Sequence, residues 1–147
     1  MTMHVKCFPV EDQAVFDACA AIRRVVFVEE QQVPPDLEAD GLDQASRHFA
    51  VTADDQLVAT CRVRLMGSAA KIERVAVLKD YRGLGLGKIL MRYLMQELGK
   101  IENLRLYKLS SQSNAVPFYE KLGFRSRGSE YMEAGMPHYD MILEKKG

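Results

Sequence analysis

The sequence predicts a mixed α/β fold in one domain spanning residues 1–147. Two observations carry this. A chain of this length suits one core, burying about 68–70% of its unfolded surface. Its apolar periodicity also alternates between values near two and 3.6. The resulting order is strand, helix, three strands, helix, strand, helix, two strands.

"MHVKCF" alternates and opens the chain as a strand. "EDQAVFDACAAIRRVVFVEEQ" follows, with Val15, Cys19, Ile22 and Val26 at helical spacing and Asp12 as its N-cap. Pro34 and Pro35 are expected to end that helix. "DLEADGLDQAS" reads as a polar loop. "RHFAVTA", a "DD" turn and "QLVATCRVRLM" predict a hairpin. "GSA" turns the chain into the short strand "AKIERVAVL". A glycine-rich loop precedes a helix whose apolar stripe is Ile89, Leu90, Tyr93, Leu94 and Leu98, closed by Gly99. "NLRLYKLS" is a strand. "SNAVPFYEKLG" is a short helix capped by Ser113 or Asn114, with Pro117 in its first turn. "FRSRGSEYME" and "HYDMILEKK" end the chain as two strands. No repeat, linker or low-complexity stretch interrupts this order.

Lys+Arg and Asp+Glu number 20 each, so net charge favours neither a nucleic-acid nor a membrane-surface protein. Cys7, Cys19 and Cys61 make an odd set without a C-x-x-C pair, which argues against a disulfide framework or a zinc site. No histidine has metal-ligand spacing, and no metal is expected. The N-terminus lacks a signal-peptide pattern, and no apolar run reaches transmembrane length. The expected location is the cytoplasm.

The most distinctive stretch is "YRGLGLGK", residues 81–88. A helix N-terminus carries unpaired N–H groups and partial positive charge. Absent Cβ atoms let an anion approach them, and Arg82 and Lys88 add charge. One glycine suffices for a turn; Gly83, Gly85 and Gly87 in alternation favour an anion site. A phosphate-binding P-loop is excluded, because Lys88 is followed by Ile89 and Arg82 occupies the first glycine position. A dinucleotide fingerprint is excluded because Lys88 stands where the third glycine belongs.

The pattern Arg82-x-x-Gly85-x-Gly87, set just after "IERVAV" and followed by "SNAVPFYEKLGF", resembles the GNAT superfamily of acetyl-CoA-dependent N-acetyltransferases. "IRRVVFVEEQ", "EADGLD", "RHF" and "EYMEAGMPHYDM" resemble its ElaA-like bacterial branch. The resemblance implies a mixed, mostly antiparallel, twisted sheet of six to seven strands flanked by helices. It implies acetyl-CoA as co-substrate, with the pyrophosphate on Arg82, Gly83, Leu84, Gly85, Leu86, Gly87 and Lys88. It places the pantetheine arm along the backbone of Val75, Ala76 and Val77, and Asn114 and Tyr119 beside the cofactor.

Tyr119 is then the acid that protonates the departing sulfur, or else a core aromatic beside Phe118 and Phe124. Strand alternation sets Glu73, Val75 and Val77 on one face. Glu73 is either the general base or an ion-pair partner of Arg62 or Arg64. By family topology the acidic run from Glu29 to Asp43 borders the acceptor site. It either attracts a cationic amine or is a solvated loop. Arg23, Glu30 and His138 are candidate acceptor-binding residues. Cys61 has no neighbour in sequence to activate it as an acyl carrier.

The expected activity is direct transfer of an acetyl group from acetyl-CoA to a primary amine, of a small molecule or a protein, within a ternary complex. A coenzyme-A-binding module without turnover, and a transferase using another acyl-CoA donor, stay open. So does a homodimer.

Overall fold

The computed structural model describes residues 2–146. Its strands are β1 Val5–Pro9, β2 Arg47–Ala53, β3 Gln56–Met66, β4 Ala69–Val77, β5 Leu106–Gln112, β6 Arg125–Glu133 and β7 Met136–Glu144. Its α-helices are α1 Gln13–Arg23, α2 Pro35–Glu38, α3 Leu86–Leu98 and α4 Val116–Lys121. The strands form one seven-stranded sheet in the order β1-β2-β3-β4-β5-β7-β6. Neighbours are antiparallel except β4 and β5, which are parallel because α3 carries the chain back between them. This is the mixed, mostly antiparallel sheet expected.

The helix mouth at Gly85 and the apolar stripe behind it place α3. Leu86, Leu90, Met91, Leu94 and Leu98 are at most 1% exposed and pack on Phe49, Val51, Cys61, Val63 and Ile72. Each such side chain contributes about 1.5–3 kcal/mol by leaving water. Ile89, expected on this stripe, points outward at 40% exposure, and Met91 is buried in its place.

Asp12 caps α1 as expected, its Oδ1 accepting the Val15 N–H at 2.9 Å. The helix does not continue unchanged to Gln31. At Arg24 it widens into π-helical turns that run to Glu30, and the Gln31 N–H bonds to the Val26 carbonyl five residues back, at 3.3 Å. The two prolines do not terminate it. Pro35 instead starts α2, where a missing N–H costs nothing. Nor does Ser113 or Asn114 cap α4: a 3₁₀ turn, Ser113–Ala115, leads in, and no side chain caps the helix.

Two features of β4 shape everything that follows. It pairs with β5 only from Ala69 to Ile72, opposite Leu106 to Leu109. Beyond that point β4 runs on to Val77 and β5 to Gln112 without meeting. The second feature is a bulge. Arg62 faces Glu73 and Thr60 faces Ala76, so β4 carries one extra residue here, and Arg74 sits at φ 54°. The bulge resets the alternation. Val75 and Val77 pack toward the α3 core, Ala76 packs on Ile22 and Val26, and Glu73 sits on the opposite face from Val75. The expected single face for Glu73, Val75 and Val77 is therefore corrected: strict period two fails across a bulge.

Candidate active site

The loop from Arg82 to Lys88 gives each glycine a reason of its own. Gly83 and Gly85 have φ of 77° and 81°, where a side chain is strained. A Cβ on either would meet nothing within 4 Å, so the loop is also open outside. Gly87 is different: a Cβ there would lie 3.3 Å from the Phe118 ring. Gly85 is the N-cap of α3 and offers no side-chain cap. Ile89 is the first residue to bond back, to the Gly85 carbonyl at 3.1 Å. Among the described residues, the N–H groups from Gly83 to Lys88 have no protein acceptor. Leu84 and Lys88 are exposed at this mouth.

Arg82 does not hang free beside the loop. Its Nη1 and Nη2 grip both oxygens of Glu30, at 2.9 and 3.0 Å, and its Nε donates to the Val77 carbonyl at 2.9 Å. Glu30, proposed from sequence as an acceptor contact, thus ties the π-helical turns to the glycine loop. The loop lies beside the stretch of β4, Val75 to Val77, that has no β5 partner. The cleft is the gap left where β4 and β5 part beyond Ile72, flanked by the loop through Arg82–Val77 and by the end of the π-helical turns through Gln31–Gln112.

Glu73 sits at the edge of that cleft, its side chain 9% exposed. Arg62 donates to its Oε2 from Nε at 3.0 Å and from Nη2 at 2.5 Å. Arg64 donates to Oε1 at 3.0 and 2.5 Å, and Lys71 Nζ lies 3.4 Å away. Burial alone would raise this carboxyl, but the bonds and charges of Arg64 and Arg62 win and bring it down to about 2. The ion pair foreseen with one arginine forms with both.

The acidic run is organised by the same cations. Arg62, 1% exposed, also grips Asp40 and Asp43. Arg23, equally buried, bonds to Glu38 and Asp43 at 2.7–2.9 Å. Arg74, displaced by the bulge, reaches Glu38 and Asp40. The bonds from Arg62 hold the Asp40 carboxyl well below the usual carboxylate range. These three carboxylates are therefore paired rather than free to attract an amine, although Asp40 and Asp43 keep 27% and 29% of their side chains exposed. Arg23 is occupied with them.

Tyr119 projects from α4 into the core, 9% exposed, edge-on to Phe118 at 4.9 Å and to Phe124 at 6.0 Å. Burial, and to a lesser degree neighbouring Cys61, pushes its phenol up, so it is protonated at neutral pH. Its hydroxyl has no protein partner among the described residues, yet no fully buried polar side-chain atom lacks one, so that oxygen still reaches solvent. Asn114 is exposed at the start of the same segment. Cys61 is fully buried, and burial pushes its thiol up, away from the thiolate an acyl carrier needs.

His138 is 6% exposed and lies opposite Gln112 on β5 and Tyr131 on β6. A polar group surrounds it that the sequence reading missed. The Tyr131 hydroxyl donates to Asp140 Oδ1 at 2.6 Å and meets Ser110 Oγ. Burial and that bond to Asp140 push the Tyr131 phenol up to about 12. Gln112 donates to Gln31 Oε1 at 2.8 Å, across the cleft. One signal was available. Ala134 and Gly135 take φ of 49° and 75°, a two-residue hairpin turn, and such a turn in "EAGM" sets Tyr131 opposite His138.

A family model described as "Acetyltransferase (GNAT) domain" matches residues 12–145. The chain therefore belongs to the GNAT acetyltransferase family. It is similar to the Bacillus subtilis protein YyaT, 44% identical over 126 residues, 84% of each chain. In three dimensions it resembles an acyl-CoA N-acyltransferase from Pseudomonas aeruginosa, with TM-score 0.83, 28% identity, and 96% and 99% of the two chains covered. It also resembles Escherichia coli ElaA, with TM-score 0.81, 26% identity and the same coverage.

Proposed function

We propose that the protein transfers an acetyl group from acetyl-CoA to a primary amine, directly and within a ternary complex. The observation that carries this is the parting of β4 and β5 beside a helix mouth with unpaired N–H groups. A diphosphate satisfies those N–H groups as an oxyanion does at any helix N-terminus. An extended pantetheine arm pairs with the free β4 edge at Val75 to Val77, as an added strand does. Lys88 contributes charge at the loop, and exposed Asn114 contacts the cofactor from the other wall. Arg82, fastened to Glu30 and Val77, positions the loop.

The thioester carbonyl then lies against the β4 edge, where a backbone N–H near Val75 polarises it. The neutral amine attacks the carbonyl carbon, the C–S bond breaks, and the Tyr119 hydroxyl protonates the leaving sulfur. A free thiol has a pKa of about 8.5, below that of the raised phenol. The phenol therefore gives its proton only in passing and takes it back from the attacking nitrogen, which turns positive as the C–N bond forms and must lose one proton to become the amide. Glu73 has both oxygens taken by arginines and acts as an anchor for the cleft wall. The YyaT and ElaA similarities support the family but leave the acceptor open; a small-molecule amine and a protein amine are both within the proposal, in the cytoplasm.

The test is an acceptor screen by free-thiol release with acetyl-CoA, in the wild type and in Tyr119→Phe. An active amine should be found, and the variant should lose roughly 10²-fold in kcat with acetyl-CoA affinity kept. Bound acetyl-CoA with no turnover on any amine would refute catalysis. An unchanged kcat, with chemistry limiting, would return Tyr119 to the core.

A further inference from the structure

If the protein transfers acetyl groups to amines, some group must take the proton of the incoming ammonium. We infer that His138 Nε2 is that proton acceptor, with the Glu133 carboxylate stabilising the imidazolium that forms. The inference rests on the transfer reading above and assigns a role that reading leaves empty.

Three observations lead to it. Glu73 is disqualified, since Arg62 and Arg64 occupy both its oxygens and hold its carboxyl at about 2. A base in that state holds a proton too weakly to remove one from an amine at neutral pH. Second, His138 Nδ1 lies 2.8 Å from the Met136 carbonyl. A carbonyl only accepts, so the proton of the neutral ring is on Nδ1, and Nε2 carries the lone pair. Third, Nε2 has no hydrogen-bond partner among the described residues. Its nearest charged neighbour is Glu133 Oε2 at 3.6 Å, poorly placed for a bare lone pair and well placed for a protonated ring. The ring is 6% exposed and stacks on Tyr131 at 6.1 Å, which fixes its plane.

Register puts His138 beside the gap between β4 and β5, on its β5 side. His138 pairs with Gln112, on the part of β5 that β4 has left, and Gln112 reaches across to Gln31. The titratable groups around the ring are Glu133 and Tyr131 from β6, with Asp140 of β7 bound to Tyr131. From β5 and the end of the π-helical turns come only Ser110, Gln112 and Gln31, which carry no charge.

The step balances. The ammonium gives one proton to His138 Nε2, and its freed lone pair forms the C–N bond. The C–S bond breaks. The second nitrogen proton goes to the sulfur by way of Tyr119, and the imidazolium releases its proton to water.

The experiment pairs kinetics with NMR on the full chain. His138→Asn keeps a donor toward Met136 and deletes Nε2. It should lower kcat roughly 10²-fold at neutral pH, leave acetyl-CoA affinity unchanged, and close the gap as pH rises and the amine arrives deprotonated. Glu133→Gln should show a smaller loss of the same shape. A loss uniform across pH, or none, overturns the assignment while leaving transferase activity standing. A wild type that binds acetyl-CoA and acetylates no amine overturns both readings. Imidazole nitrogen correlations on the wild type give an answer that does not depend on the variant folding: the neutral His138 ring must be protonated at Nδ1, and protonation at Nε2 refutes the proposal.

Discussion

The mouth of α3 and the connection between the π-helical turns and β2 are both polar, charged and placed on the same cleft. They differ in how their polar groups are matched. In the connection, Glu38, Asp40 and Asp43 are each bonded to arginines, two of them 1% exposed. At the mouth, the N–H groups from Gly83 to Lys88 find no partner among the described residues. A charged segment whose groups are all paired is structure. A segment whose groups are left unpaired, at the cost of helix-end stability, is where a ligand completes the bonding. Charge density alone does not tell them apart.

The sharpest way to break this contrast is Arg62→Ala. Removing one partner of a buried ion pair costs about 3–5 kcal/mol, and the Arg62 side chain is 1% exposed. Here Asp40, Asp43 and Glu73 all lose a donor. Denaturant melts should show a loss in that range; a change below 1 kcal/mol would mean that the network is no anchor.

Gly85→Asp acts on the other member of the pair. It adds a carboxylate and a Cβ at positive φ, at the point the phosphates approach. Acetyl-CoA affinity measured by calorimetry should fall more than tenfold, at least ~1.4 kcal/mol. An unchanged affinity in a folded variant would remove the loop from the cofactor site.

The smallest effect is a pH dependence. Glu73 titrates lower in the folded chain than its ordinary value of 4.5, at about 2. Its contribution is therefore fully present above about 4.5 and is lost as pH falls through about 2. The stability advantage of wild type over Glu73→Gln should be constant near neutrality and shrink only in that acid window. An advantage that began to shrink between pH 6 and 7 would put Glu73 back among the bases.

Much of this contrast was legible in the sequence, and the illegible part has a physical cause. Gly83, Gly85 and Gly87 stood out because positive φ and close packing against Phe118 leave few residue types a choice. Leu90, Leu94 and Leu98 of the α3 stripe were readable because 3.6-residue periodicity survives in a helix free of distortions, but the stripe's edge was not: Ile89 faces out and Met91 is buried. The phase of β4 was not, because the bulge at Arg74 adds one residue without a glycine to announce it. The π-helical widening after Arg23 was equally silent. The partners of Glu38, Asp40 and Asp43 lie 15–36 residues away, and local pattern cannot reach that far. His138 was noticed as a residue, but the tautomer set by Met136 exists only once the hairpin is folded.

The seam between β4 and β5 has a further consequence, for how the chain acquires its shape. β1 to β4 form one antiparallel ribbon and β5, β7 and β6 another, sewn together by the four residue pairs from Ala69–Leu106 to Ile72–Leu109. Within the ribbons, the hairpins β2–β3, β3–β4 and β6–β7 close over short loops. The seam instead closes over a span that includes the whole of α3, and long loops make their contacts late. Its few bonds also make it the place where the sheet opens most readily, so exchange of those Leu106–Leu109 amides that bond across to β4, and not those that bond to β7, should report the docking of the ribbons.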